Sequence, residues 1–192
     1  MNSIPEIQAL IKGKYARMLK VPFREVIQKD FDVIKQQLIL EFLNHPVTQE
    51  ISDGPNAKNT SGTLGGKGNL FSFIGFDGGD DPIEPILDRL QNIQLQFSSE
   101  LENGVEFSIN IPTAAEIFAI TPMPWNIGRS WAKGIESGIS GLNFYLYAQR
   151  EASRSGQAIQ TSKKLNDKLK FKNTQYISAL LTKYRIKFSK LK

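Results

Sequence analysis

The chain has no cysteine and a single histidine, His45. The first absence removes disulfides, thiol chemistry and every cysteine-based metal site, and it suits a reducing compartment. The second leaves a zinc site or a histidine base without partners, so His45 reads as a helix-end residue with a structural task. No G-x-S-x-G elbow is present, so the common nucleophilic triads have nothing to work with. No stretch approaches the ~18 consecutive apolar residues of a membrane span, and the first residues lack the apolar run and cleavage site of a signal peptide. The expectation is a soluble protein that is not an enzyme, with no cofactor and no membrane partner.

Phosphate-binding patterns fail on spacing. The best P-loop register, SGTLGGKG at 61–68, lacks the first glycine and the final hydroxyl that would hold Mg²⁺. A dinucleotide fingerprint needs glycines that follow a strand and open a helix, whereas an apolar, strand-like run follows these. DGGDD at 77–81 lacks the alternating ligands and distal glutamate of a calcium loop. Paired carboxylates such as Asp80 with Asp81 or Glu100 with Glu102 are present, but each sits at a helix entrance or turn, where an acid has a structural reason to be.

What is present is one domain's worth of chain, 192 residues with 40% hydrophobic content and a net charge of +5. The charge is uneven. Residues 150–192 carry 12 Lys/Arg against Glu151 and Asp167, whereas 77–106 hold eight acids and one base, Arg89. Such a chain can attract copies of itself head to tail or lie between two charged partners; the alternative is a solvated basic tail that touches nucleic acid.

Periodicity outlines an α+β fold: a long N-terminal helix and a C-terminal amphipathic helix packed on a small antiparallel sheet, with a long glycine-rich arm. The helical segment at 1–45 opens on the capping box Ser3–Glu6, carries Ile7, Leu10, Ile11, Tyr15, Met18 and Leu19 at helical spacing, and is expected to break at Pro22. A second run at 23–44 sets Phe23, Val26, Ile27, Phe31, Ile34, Leu38, Phe42 and Leu43 on one face, and His45-Pro46 stops it.

A helix-hairpin-helix core spans 81–148. Asp81, Pro82 and Glu84 form a helix entrance. Strands at 94–98 and 105–111 alternate with period two around Asn103-Gly104. Thr113–Glu116 is a second capping box, and GRSWAKGIESGISGL at 128–142 reads as a helix. Residues 149–172 form a flexible basic loop, and 173–192 the final helix.

The arm at 57–79 packs seven glycines around Leu70-Phe71-Ser72-Phe73-Ile74, a β-prone centre too elaborate for a spacer. It either docks on another subunit or folds back over the chain's own core. In the docking case Leu64, Leu70, Phe71, Phe73, Ile74 and Phe76 form a subunit interface, joined by Trp125 and Trp131 from the proline-flanked stretch TPMPW and the helix after it.

NHPVTQEI at 44–51, NTSGTLGGKGNLFSFIGF at 59–76, DPIEPIL at 81–87 and TPMPWNIGRSWAKGIESGISGL at 121–142 together resemble small structural proteins of tailed bacteriophages. The order of helix, β layer and helix is similar to that of neck and tail-completion proteins at the head-to-tail junction, from whose compact pattern the glycine-rich insertion departs. The resemblance implies a virion protein assembled in the host cytoplasm, a connector, tail-completion or terminator ring built from copies of itself beside neighbouring neck or tail proteins. Lys163, Lys164, Lys168 and Lys170 are then candidates for sequence-independent contact with DNA in the passage.

Overall fold

The computed structural model describes residues 4–66, 68–101, 104–138 and 171–191, with side chains of the first helix from Arg24 onward. That helix, α1, is one unbroken element, Ile4–Leu43. It runs through Pro22 without the expected break: a proline forfeits one hydrogen bond, while the turns on both sides continue to propagate. Phe31, Leu38 and Phe42 are buried, but Val26 and Leu43, expected on the same face, point to solvent.

His45 caps the second helix, α2 (Pro46–Ser52), its Nδ1 accepting from the Val47 amide at 3.2 Å. A turn at Gly54–Asn56 leads into the glycine-rich stretch. Its apolar centre is not a strand but a short helix, α3 (Leu70–Ile74). The Asn69 side chain accepts from the Ser72 amide at one end, and Gly75 takes the left-handed conformation (φ 93°) at the other. All five α3 residues are buried, so tertiary burial overrides their β propensity.

Helix α4 (Glu84–Gln91) begins at Glu84, two residues later than the Asp81 cap and Pro82 start expected, and Asp81 Oδ1 accepts from the Ile83 and Glu84 amides at 3.2 and 3.1 Å in the turn before it. Strands β1 (Leu95–Leu101) and β2 (Gly104–Ile109) form the expected antiparallel hairpin, pairing Leu95 with Ile109 and Phe97 with Phe107. A bulge between Phe97 and Ser99 then sets Val105 opposite Glu100, which disrupts the anticipated apolar alternation. Helix α5 (Ala114–Ala119) carries the complete Thr113–Glu116 capping box.

Residues expected as the start of a helix at 128 instead complete a second small hairpin, β3 (Pro122–Met123) with β4 (Asn126–Ser130). Helix α6 (Trp131–Ser137) follows, capped by Ser130 and ended by Gly138 at φ 87°. The last helix, α7 (Ile177–Phe188), packs Ile177, Leu180, Leu181, Tyr184 and Phe188 inward against α1 and α5. The expected helix continuation beyond 138 and nearly all of the 149–172 loop lie outside the described residues. At the edge of that loop, Phe171 stacks on Phe73, with ring centroids 5.8 Å apart, and the Lys172 amide donates to the Thr63 carbonyl at 2.9 Å.

A series of rings ties the arm to α1. Phe71 lies 5.4 Å from Phe76, Phe76 6.0 Å from Trp131, Trp131 6.3 Å from Tyr176, and Tyr176 6.2 Å from Phe42. Each such pair adds about 0.5–1.5 kcal/mol beyond its buried area. The apolar centre of the glycine-rich stretch is therefore part of the domain's core, while most of its glycines stay at the surface.

Candidate interaction surface

The arm is held by a carboxylate that sequence reasoning did not single out. Glu50, on α2 and fully buried, accepts from the Leu70 amide at 2.7 Å, the Ser61 amide at 3.0 Å and Asn59 Nδ2 at 2.8 Å. Asn59 Oδ1 in turn accepts from the Leu64 and Gly66 amides, both at 3.1 Å. A buried acid flanked by donors stabilises the loop it organises, because those amides would otherwise be desolvated without partners. Its only hint in the sequence is a Glu on the inward side of a seven-residue helix.

This geometry corrects the interface assignment. Leu64, Leu70, Phe71, Phe73, Ile74 and Phe76 are all buried within their own chain, as is Trp131. Apolar side chains already withdrawn from water gain nothing by meeting a second subunit. Of the eight candidates only Trp125 reaches solvent, at 37% exposure, and its indole is fixed by a 2.8 Å hydrogen bond to the Ile74 carbonyl. Lys163, Lys164, Lys168 and Lys170 lie outside the described residues.

Of the four carboxylates considered for chemistry, two have structural partners: Asp80 Oδ2 accepts from the Asp77 amide at 2.8 Å and Asp81 Oδ1 from the Ile83 and Glu84 amides, while the Glu100 side chain and Glu102 are outside the described residues. Among the described residues no group of three or more His, Asp or Glu converges as a metal site requires. Burial holds the His45 imidazole below its ordinary pKa, against the opposing pull of the Gln175 backbone and Glu41. Glu41 is held below the usual carboxylate range chiefly by the hydrogen bond from Lys183, whose Nζ lies 2.6 and 2.7 Å from its two oxygens. The Tyr184 hydroxyl donates to the same carboxylate at 2.8 Å. Through these bonds Glu41 joins α1 to Lys183 and Tyr184 of α7.

Among the described residues, two surfaces offer exposed apolar groups to a partner. One is an open groove of about 590 Å³ between the 76–85 stretch and the β3–β4 hairpin. Its floor is Phe76, Met123 and Trp131, and its walls are Pro82, Pro85, Pro122 and Pro124. Asp77, Asp80 and Asp81 rim it with no lining lysine or arginine, and Ile127 stands at its edge with 89% of its surface in solvent. The second is a line of exposed apolar residues on α1: Val26 (61%), Val33 (52%) and Leu40 (57%). Their sevenfold spacing was visible in the sequence, hidden by the stronger core pattern beside it. Ile127, a lone apolar residue in a short hairpin, carried no such signal.

Among the described residues no helix is long and apolar enough to cross a membrane. Set against models of protein families, characterised proteins and solved structures, the chain finds no match.

Proposed function

We propose that the chain is a structural subunit of a tailed-phage neck or tail, in a connector, tail-completion or terminator ring, which assembles with copies of itself and performs no catalysis. The observation that carries the self-assembly is the acid-rimmed groove with Ile127 at its edge. A contiguous apolar depression framed by one sign of charge is what a specific protein contact needs, and a chain whose 150–192 region is strongly basic supplies the opposite sign. Placement in a virion is supported by the resemblance of the 44–51, 59–76, 81–87 and 121–142 stretches to phage structural proteins. The interface is thereby moved from the glycine-rich arm to the groove and the β3–β4 hairpin.

The test is the native mass of the purified protein, followed by crosslinking inside particles. A closed oligomer of fixed stoichiometry that Ile127→Asp dissolves supports the proposal. A wild-type protein that stays monomeric at every concentration removes it.

The basic charge of 150–192 favours one further reading, sequence-independent DNA contact. Among the described bases there, Lys183 is bound to Glu41, Lys187 to Gln37, and Arg185 to the Pro112 carbonyl at 3.2 Å. Lys163, Lys164, Lys168 and Lys170 are the candidates to carry it.

A further inference from the structure

At Val33 the exposed line on α1 borders a cleft of about 230 Å³, closed on its other side by the end of α7. Val33, Ile34 and Leu191 give the cleft an apolar lining; Lys187 and Lys190 stand on its α7 side and Asp30 on its α1 side. Neither lysine is neutralised within the chain. Lys187 Nζ donates to the uncharged Gln37 amide at 3.2 Å and lies over the Tyr184 ring, and among the described residues no carboxylate is within ion-pair distance of Lys187 or Lys190.

The groove beside the β3–β4 hairpin has the opposite make-up. Asp77, Asp80 and Asp81 on its rim are exposed and have no ion-pair partner among the described residues, and Ile127 stands at its edge in solvent. We propose that Ile127 of one copy seats in the α1–α7 cleft of a second copy, with the rim aspartates against Lys187 and Lys190. A second copy is the occupant because this chain carries both halves of the contact, an apolar knob beside three acids and an apolar hollow beside two bases. The hollow has room for an isoleucine, since a cavity of ~150 Å³ already holds a benzene ring. Asp30 repels the incoming carboxylates from the α1 side and so directs them to the lysines.

Groove and cleft share no lining residue, so the surface that gives and the surface that receives are different. Such a contact is heterologous and, repeated, closes into a ring or runs on as a filament, whereas two grooves meeting face to face would set acid against acid. The inference rests on the self-assembly reading above and names the surface that receives the groove's edge.

The chain has no cysteine of its own, so introduced thiols report the contact directly. Full-length Ile127→Cys and Val33→Cys proteins, mixed and oxidised, should give a disulfide-linked heterodimer, and each alone should give little homodimer. Ile127→Asp removes the knob and Val33→Glu/Lys190→Glu, at solvent-facing positions, removes the hollow. Each should keep the melting curve and weaken self-association more than about tenfold, and mixing the two should restore a one-to-one pair, since one keeps the hollow and the other the knob. If Val33→Glu/Lys190→Glu fails to fold, the cysteine pair, which leaves both lysines in place, decides alone. An Ile127→Cys homodimer formed in preference to the heterodimer would overturn the head-to-tail contact. Self-association unchanged by Val33→Glu/Lys190→Glu, yet abolished by Ile127→Asp, would overturn the cleft as receiver and leave the proposed function standing; so would a loss of DNA retention with self-association intact. A monomeric wild-type protein would sink both.

Discussion

The Trp125 indole N–H donates to the carbonyl of Ile74, 51 residues earlier, at 2.8 Å, and so fastens the β3–β4 hairpin to the C-terminal end of α3. The two elements bordering the groove are thus tied to the buried arm. The same ring lies 3.4 Å from where a Cβ on Gly75 would sit, at a backbone φ of +93°. Trp125→Phe should cost about 1 kcal/mol through the lost bond. Gly75→Ala should cost about 1–2 kcal/mol through left-handed strain. Urea midpoints of the two variants check both values.

Removing the Glu50 side chain strands the buried Leu70 amide and the half-buried Ser61 amide at once. Glu50→Ala should destabilise the fold by about 3 kcal/mol or more, and Glu50→Gln, which keeps one acceptor oxygen, by less. The ordering of the two variants in a denaturant titration is the informative result. Equal losses would mean that the buried volume, not the acceptor, is what matters.

Deleting residues 59–75 should abolish cooperative unfolding. The deletion takes Leu64, Leu70, Phe71, Phe73 and Ile74 out of the core, and each large-to-small core change alone costs about 2–5 kcal/mol. A docking arm would leave a folded monomer behind. A thermal melt followed by circular dichroism separates the two outcomes.

Stability should fall in two stages on acidification. The His45 imidazole is held below its ordinary value of 6.5, so the unfolded chain binds a proton before the folded one does. Its contribution is complete above 6.5 and declines as the pH drops below it. Glu41, held below 4.5, contributes above that value and stops contributing as the pH falls through its lower folded value. His45→Asn, which keeps a cap acceptor, should flatten only the first stage of a plot of urea midpoint against pH.

Neutralising Lys163, Lys164, Lys168 and Lys170 together should reduce DNA retention at low salt and shallow its salt dependence. Retention unchanged by the four substitutions would remove these lysines from the DNA contact.

The chain's own pattern determined the element types with the strongest local signals: α1 from Phe31 onward, the helical run of α4, the β1–β2 hairpin, the Thr113–Glu116 capping box and the inward face of α7. Each depends on residues a few positions apart, so its physics is written locally. Only the tertiary structure decided that Leu70–Ile74 is a helix, that Glu50 receives the amides of Ser61 and Leu70, and that the apolar residues of the glycine-rich stretch join the domain's own core. Those outcomes depend on burial against α2, Trp131 and Phe171, groups far away in sequence. An apolar run reads the same whether it will meet its own core or a neighbour. The choice between them is made by the area it can withdraw from water in one chain, which no local pattern records.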